Sequence, residues 1–179
     1  MSGQSHASND SDRLRLLFQQ TPGFICVLRG AQHIFKLAND AYYQLIGHRA
    51  ILNCELSNVL PEVVGQGILD KLDHVFATGE PFLGRAVPIQ LQRLLGGALE
   101  QCYIDLIYQP ILDSCGKISG IFVQGHNVTE AYELAQEVSY QASHDFLTGL
   151  YNRRELARRV QDLEGHAGAH ALLYMDRPF

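Results

Sequence analysis

Hydrophobic and polar positions along the chain switch between strand-like and helix-like spacing. Leu14, Leu17 and Phe18 share one face of a short helix that Ser11 or Asp12 can cap, and Thr21-Pro22-Gly23 ends it. Residues 24–28 are an apolar strand, 29–32 a turn and 33–37 a second strand, which together predict a hairpin. Helical spacing then returns. Asn39 or Asp40 can cap a helix carrying Ala41, Tyr42, Leu45 and Ile46, which stops at Gly47. A second piece spans 51–60 and stops before Pro61. A third, 67–77, places Ile68, Leu69, Leu72, Val75 and Phe76 on one buried face, and Gly79 and Pro81 close it.

Strand periodicity resumes at 82–91, read as alternating through Leu83, Val87 and Ile89. Residues 99–111 alternate through Cys102, Ile104, Leu106 and Tyr108, and 117–128 are mostly apolar. The segment 113–117 is a turn, and 93–98 a loop with Gly96-Gly97. A hairpin, several short helices and three hairpin-linked strands predict an α+β domain with an antiparallel sheet.

Residues 130–144 hold neither Gly nor Pro and predict one helix, a rod of about 22 Å, with Asn127 or Thr129 as cap. Val128, Ala131, Ala135, Val138 and Ala142 step by three and four, the a/d seam of a coiled coil. Such a stripe can pack back on its own domain or face a second copy. The small residues favour a weak parallel dimer seam whose register is free to shift. Farther on, Asn152 and Glu155 have capping-box spacing ahead of a helix that buries Leu156, Val160 and Leu163. The arginines at 153, 154, 158 and 159 read as a solvated face laced to Glu155 and Asp162. Residues 171–175 form a short apolar run that ends in Asp176.

Composition narrows the function classes. A net charge of -5 and a pI near 5.9 argue against a nucleic-acid or anionic-membrane partner. No apolar stretch is long enough to span a bilayer, and the polar N-terminus, expected to be disordered over 1–11, lacks a secretory core. A cytoplasmic protein is the expectation. Cys26, Cys54, Cys102 and Cys115 are scattered and are expected to be free thiols.

Over residues 14–130 the chain resembles a PAS domain. The resemblance is carried by Pro22-Gly23-Phe24, Asn39-Asp40-Ala41-Tyr42 through Leu45-Ile46-Gly47, Tyr108-Gln109-Pro110-Ile111, 113–120, and Asn127-Val128-Thr129-Glu130. It implies a sensor and dimerisation module with a five-stranded antiparallel sheet and a pocket between sheet and helices. His33, Tyr42, Tyr108, Gln124 and His126 are the candidate pocket residues. Where PAS families usually have Asp, this chain has Asn127, which keeps the cap but not a charged pairing to the domain body. Asn53-Cys54 resembles the pair that reacts with flavin in light-sensing PAS domains, but no Arg-Phe-Leu-Gln follows. As a haem ligand His74 is disfavoured, because it points roughly 160° from the apolar face of its helix.

The run Asp145-Phe146-Leu147-Thr148-Gly149-Leu150-Tyr151-Asn152-Arg153-Arg154 resembles the opening of the GGDEF domain of diguanylate cyclases, which join two GTP molecules into cyclic di-GMP. The resemblance implies that Asp176 is a Mg²⁺ ligand beside the GTP phosphates. The Gly-Gly-Asp/Glu-Glu-Phe signature does not occur in these 179 residues, so this chain is expected to be no enzyme while its parent is a cyclase. The expected organisation is a tail over 1–11, a PAS sensor over 12–128, a signalling helix over 129–144 and an incomplete GGDEF domain over 145–179. The expected partners are a second copy and a small ligand of unknown identity. A ligand-free interaction scaffold is the alternative. Ser143-His144-Asp145 also resembles the phospho-accepting context of histidine kinases, but Thr-Pro-Leu does not follow.

Overall fold

The computed structural model describes residues 13–94 and 96–164. The expectations for the tail 1–11, the side chain of Leu163, the strand 171–175 and Asp176 lie outside the described residues. The chain divides into two compact units, Met1–Tyr132 and Glu133–Phe179.

In the first unit, helix α1 (13–20) leads into β1 (Phe24–Arg29) and β2 (Ile34–Ala38). Then come α2 (Asp40–Leu45), α3 (Leu56–Val59), a 3-10 turn (Pro61–Val63) and α4 (Ile68–Thr78). The strands β3 (Phe82–Leu91), β4 (Glu100–Leu112) and β5 (Ile118–Asn127) complete one antiparallel sheet of order β2-β1-β5-β4-β3. The first and last strands of the unit thus lie side by side at its centre. Gly125 permits their close approach to β4: a Cβ there would sit 2.2 Å from the Asp105 carbonyl oxygen and 2.5 Å from the Phe24 ring. Phe24, Cys26 and Leu28 of β1, Ile104, Leu106 and Tyr108 of β4, and Ile121 and Val123 of β5 face one way. They pack against Tyr42, Leu45, Leu72 and Val75 from the helices.

Three sequence expectations are revised. The helix expected over 51–60 is confined to Leu56–Val59. Asn53 is left-handed at φ +62, and its N–H donates to the Phe35 carbonyl at 2.8 Å while Phe35 N–H donates to Cys54. That stretch is spent covering the outer edge of β2, which would otherwise expose unpaired backbone groups. His33 sits not on a strand but at the end of the β1–β2 turn, at φ +50. In β3 the alternation through Leu83 breaks, because a bulge between Gly84 and Val87 shifts the register against β4. Before it Gly84 faces inward and Leu83 is exposed; beyond it Ile89 and Leu91 are buried. The Asp105 carboxylate accepts the N–H of Ala86 at 2.7 Å, which satisfies the donor that the bulge removes from the ladder.

Helix α5 (Thr129–Ser143) belongs by its first turn to the first unit and otherwise to the second, which also holds α6 (Arg153–Glu164). The connection gives Asp145, Thr148, Gly149 and Asn152 of the Asp145–Arg154 run local structural roles. The Asp145 carboxylate accepts from Leu147 N–H, Thr148 N–H and the Thr148 hydroxyl, and Gly149 takes φ +67. Asn152 donates through its side-chain amide to the Ala142 carbonyl at 2.8 Å and accepts from Glu155 N–H at 3.0 Å. One residue therefore caps the end of α5 and the start of α6. Arg158 and Arg159 pair with Glu155, Arg158 also reaches Asp162, and Arg159 stacks over Tyr151 at 4.0 Å. This is the solvated, charge-laced face that the spacing implied.

Candidate functional site

A cavity lies between the inner face of the sheet and helices α2 to α4. Asn39, fully buried, joins the two layers. Its side-chain oxygen accepts from Ile25 N–H at 2.8 Å and Tyr42 N–H at 3.0 Å, and its amide donates to the Gly23 carbonyl at 2.8 Å. The residue caps α2 and fastens it to β1, which sets the Tyr42 ring edge-on to Phe24 at 6.1 Å and tilted on Phe35 at 5.6 Å.

On the far side, the segment carrying Leu56, Leu60 and Val63 forms the opposite wall, and a buried clasp holds it. Arg49 donates to both oxygens of Glu62, to the Val59 carbonyl and to the Gln92 carbonyl at the end of β3. Gln66 adds a second fastening, exchanging hydrogen bonds with the backbone of Gln90 at 2.8 and 3.0 Å.

The cavity measures about 50 Å³. Its lining is Leu, Ile, Val and Phe apart from Cys26, Tyr42 and Tyr108, and it contains no Lys, Arg, His, Asp or Glu. The Tyr42 hydroxyl bonds the Cys26 thiol, and Tyr108 lies near the same thiol. Burial pushes the Cys26 thiol and both phenols well above their ordinary values, with the Tyr42 bond opposing it only in part at Cys26. All three are therefore neutral at physiological pH, and Cys26 lacks the thiolate that makes a cysteine reactive. A disulfide-exchange reagent is expected to titrate exposed Cys54 and Cys115 quickly, and buried Cys26 and Cys102 only after denaturation. Four fast thiols in the folded protein would contradict this arrangement.

Of the five candidate pocket residues, only Tyr42 and Tyr108 line the cavity. Gln124 and His126 lie on the other face of the sheet, beside Arg85 and Asp105. His33 is buried but turned elsewhere: its Nε2 lies 2.8 Å from the Asp73 carboxylate, pinning the β1–β2 turn to α4, and its Nδ1 has no partner among the described residues. The residue that sequence reasoning missed is Cys26. Its signal was present, since Phe24, Cys26 and Leu28 share one strand parity. Cys54, exposed, lies off the cavity lining, and His74 is exposed as its helical angle required. Among the described residues no cluster of three or more His, Cys, Asp or Glu side chains is placed to hold a metal, and no helix is long and apolar enough to cross a membrane.

No protein-family model matches the chain. Among solved structures, the PAS domain of BvgS from Bordetella pertussis is similar over 76% of this chain and 98% of its own length, with TM-score 0.52 and 23% identity. The fold is that of a PAS domain. The PAS domain of a Colwellia psychrerythraea protein is similar over 68% of this chain and 98% of its own, with TM-score 0.53 and 14% identity. An RNA-binding light-oxygen-voltage receptor is similar over 93% of this chain with TM-score 0.59 and 16% identity, and this chain spans 42% of that receptor's length.

The PAS sheet grips the start of α5 through Tyr103 of β4 and Asn127 of β5. Tyr103, on β4 next to cavity-lining Ile104, donates its N–H to the Thr129 hydroxyl at 2.8 Å and accepts from Val128 N–H at 2.8 Å. Its ring stacks on Tyr132 with centroids 3.9 Å apart. Asn127 contributes as cap, accepting from Thr129 N–H at 3.0 Å and from the Thr129 hydroxyl at 2.6 Å. No residue of α5 is buried, and Ala131, Leu134, Ala135, Val138 and Ala142 are all exposed along it.

Proposed function

We propose that this chain is the sensory and dimerisation region of a signal-transduction protein that controls cyclic di-GMP synthesis. The PAS domain is the input, α5 the lever, and the Asp145–Arg154 run the start of a GGDEF output domain. The observation that carries the reading is the grip of Tyr103 on Val128, Thr129 and Tyr132, because the same strand forms a cavity wall. A shift of β4 on filling the cavity therefore reaches the helix directly. The exposed a/d stripe on α5 suits a second copy, since two cyclase domains must meet to join two GTP molecules. On this reading Mg²⁺ and GTP belong to the output domain, with Asp176 as a metal ligand by resemblance only.

The 179-residue protein is expected to sediment as a dimer at high micromolar concentration, and Val138→Glu, which puts like charges in the seam, is expected to shift it to monomer. With GTP and Mg²⁺ it is expected to form no cyclic di-GMP. A wild-type monomer would remove the dimer step, and turnover of GTP would refute the assignment of this chain as controller only. One observation favours a second reading: a cavity of about 50 Å³ is nearly full, as in a ligand-free PAS scaffold that acts by association alone.

A further inference from the structure

We infer that the PAS cavity takes a small uncharged organic molecule of a few heavy atoms that carries one hydrogen-bonding oxygen, seated against Cys26, Tyr42 and Tyr108. This deepens the sensory reading above and rests on it. Size sets the first limit. A cavity of roughly 150 Å³ accommodates benzene, and this one measures about 50 Å³. A flavin or a haem, each several times larger than benzene, requires the core to be rebuilt rather than adjusted.

Charge sets the second limit. No basic side chain lines the cavity to receive a carboxylate or phosphate, and no acidic one to receive an amine. An ion there stays unpaired in apolar surroundings, which is among the most costly placements in a protein interior. The same lining accepts an alkyl group without penalty.

Polarity sets the third. The phenols and the thiol are the only side-chain polar groups on the lining, and they cluster. Both phenols stay protonated; Tyr42 is already bonded to the Cys26 thiol, so the Tyr108 hydroxyl is the donor left for a ketone, aldehyde or alcohol oxygen. That placement lets a ligand keep the hydrogen bond it had in water, which decides between an oxygenated molecule and a pure hydrocarbon.

The test uses the 179-residue protein and three probes small enough for the cavity, ethanol, acetate and xenon, followed by methyl and xenon NMR. Expected are saturable shifts of the Leu28 and Ile104 methyls with ethanol, none with acetate at neutral pH, and entry of xenon. In Tyr42→Phe/Tyr108→Phe, ethanol affinity is expected to fall three- to tenfold, the worth of a neutral hydrogen bond, with xenon entry unchanged. Equal losses for both probes would mean that the tyrosines only shape the cavity, and would overturn the hydrogen-bonding role. Acetate binding as tightly as ethanol would overturn the ligand class but leave the sensory reading standing. Exclusion of all three probes would overturn both and leave the scaffold.

Discussion

Replacing Asn39 with alanine is expected to destabilise the PAS domain by about 3–5 kcal/mol, because several buried backbone groups lose their partners together. The Asn39 side chain serves Ile25 N–H, Tyr42 N–H and the Gly23 carbonyl, and its amide reaches the Thr21 carbonyl at 3.4 Å. Ile25 N–H and the Gly23 carbonyl are not reached by water when the amide is removed, since Asn39 has no exposed surface. The loss is more than that of an ordinary N-cap, which is worth about 1 kcal/mol. Thermal melting should fall by on the order of 10–20 °C for a domain of this size. Asn39→Asp is nearly the same shape but sets a second acceptor against the Gly23 carbonyl at 2.8 Å, so it should not restore stability. Asp40→Ala, next in the chain and exposed, is the control expected to change little. A melting point for Asn39→Ala within a few degrees of wild type would show that the two layers do not depend on this residue.

The second large effect is expected at the clasp. The Arg49 and Glu62 side chains are 13% and 8% exposed, so removing either leaves a buried charge alone, at a cost of about 3–5 kcal/mol. Arg49→Met alone should therefore be severe, while Arg49→Met with Glu62→Leu should recover much of the loss. The clasp also has a pH signature. Burial by itself would raise the Glu62 carboxyl, but the hydrogen bonds from Arg49 and from the Glu62 and Gln92 backbone outweigh it and hold the group below its ordinary 4.5. A carboxyl depressed in the folded state contributes stability above its unfolded value and loses that contribution as pH falls through the folded value. Melting temperature should accordingly decline as pH drops below about 4.5, and the decline should be shallower in Glu62→Gln. Identical acid profiles for the two proteins would refute this account. Glu155 is held at about 2 by the hydrogen bonds of Arg158 and Arg159, but both arginines are exposed and solvent screens the pairing, so it adds little to that profile.

The order of elements, and with it the α+β class, was legible because each segment carries its own period. The apolar face of α4, the alternation of Cys102, Ile104, Leu106 and Tyr108, and the capping of α6 by Asn152 all appear as the spacing implied. Tyr108 reached the cavity for that reason. Gln124 and His126 misled because β5 runs Ile121-Phe122-Val123 without alternation, as central strands apolar on both faces do. Nothing within such a strand says which parity points inward. Its pairing with β1, Cys26 opposite Val123 and Phe24 opposite Gly125, decides that. In β3 a period of two was the right expectation, but the bulge reversed it midway.

Local chemistry thus determined what depends on neighbours in sequence: the helices, the strands, the caps and the tight turn from Asp145 to Gly149. Residues from distant segments had to meet before the rest had meaning. The Cys26 thiol became part of a buried cavity only when β1 lay beside β5 and α2 packed against it. Asn39 became a joint as well as a cap when Ile25 and Gly23 arrived within 2.8 Å of it. Tyr103 became an anchor when α5 began beside β4. The reason is common to all three: hydrogen bonding and burial are properties of pairs in space, and for these residues the partner lies outside the window that sequence periodicity can see.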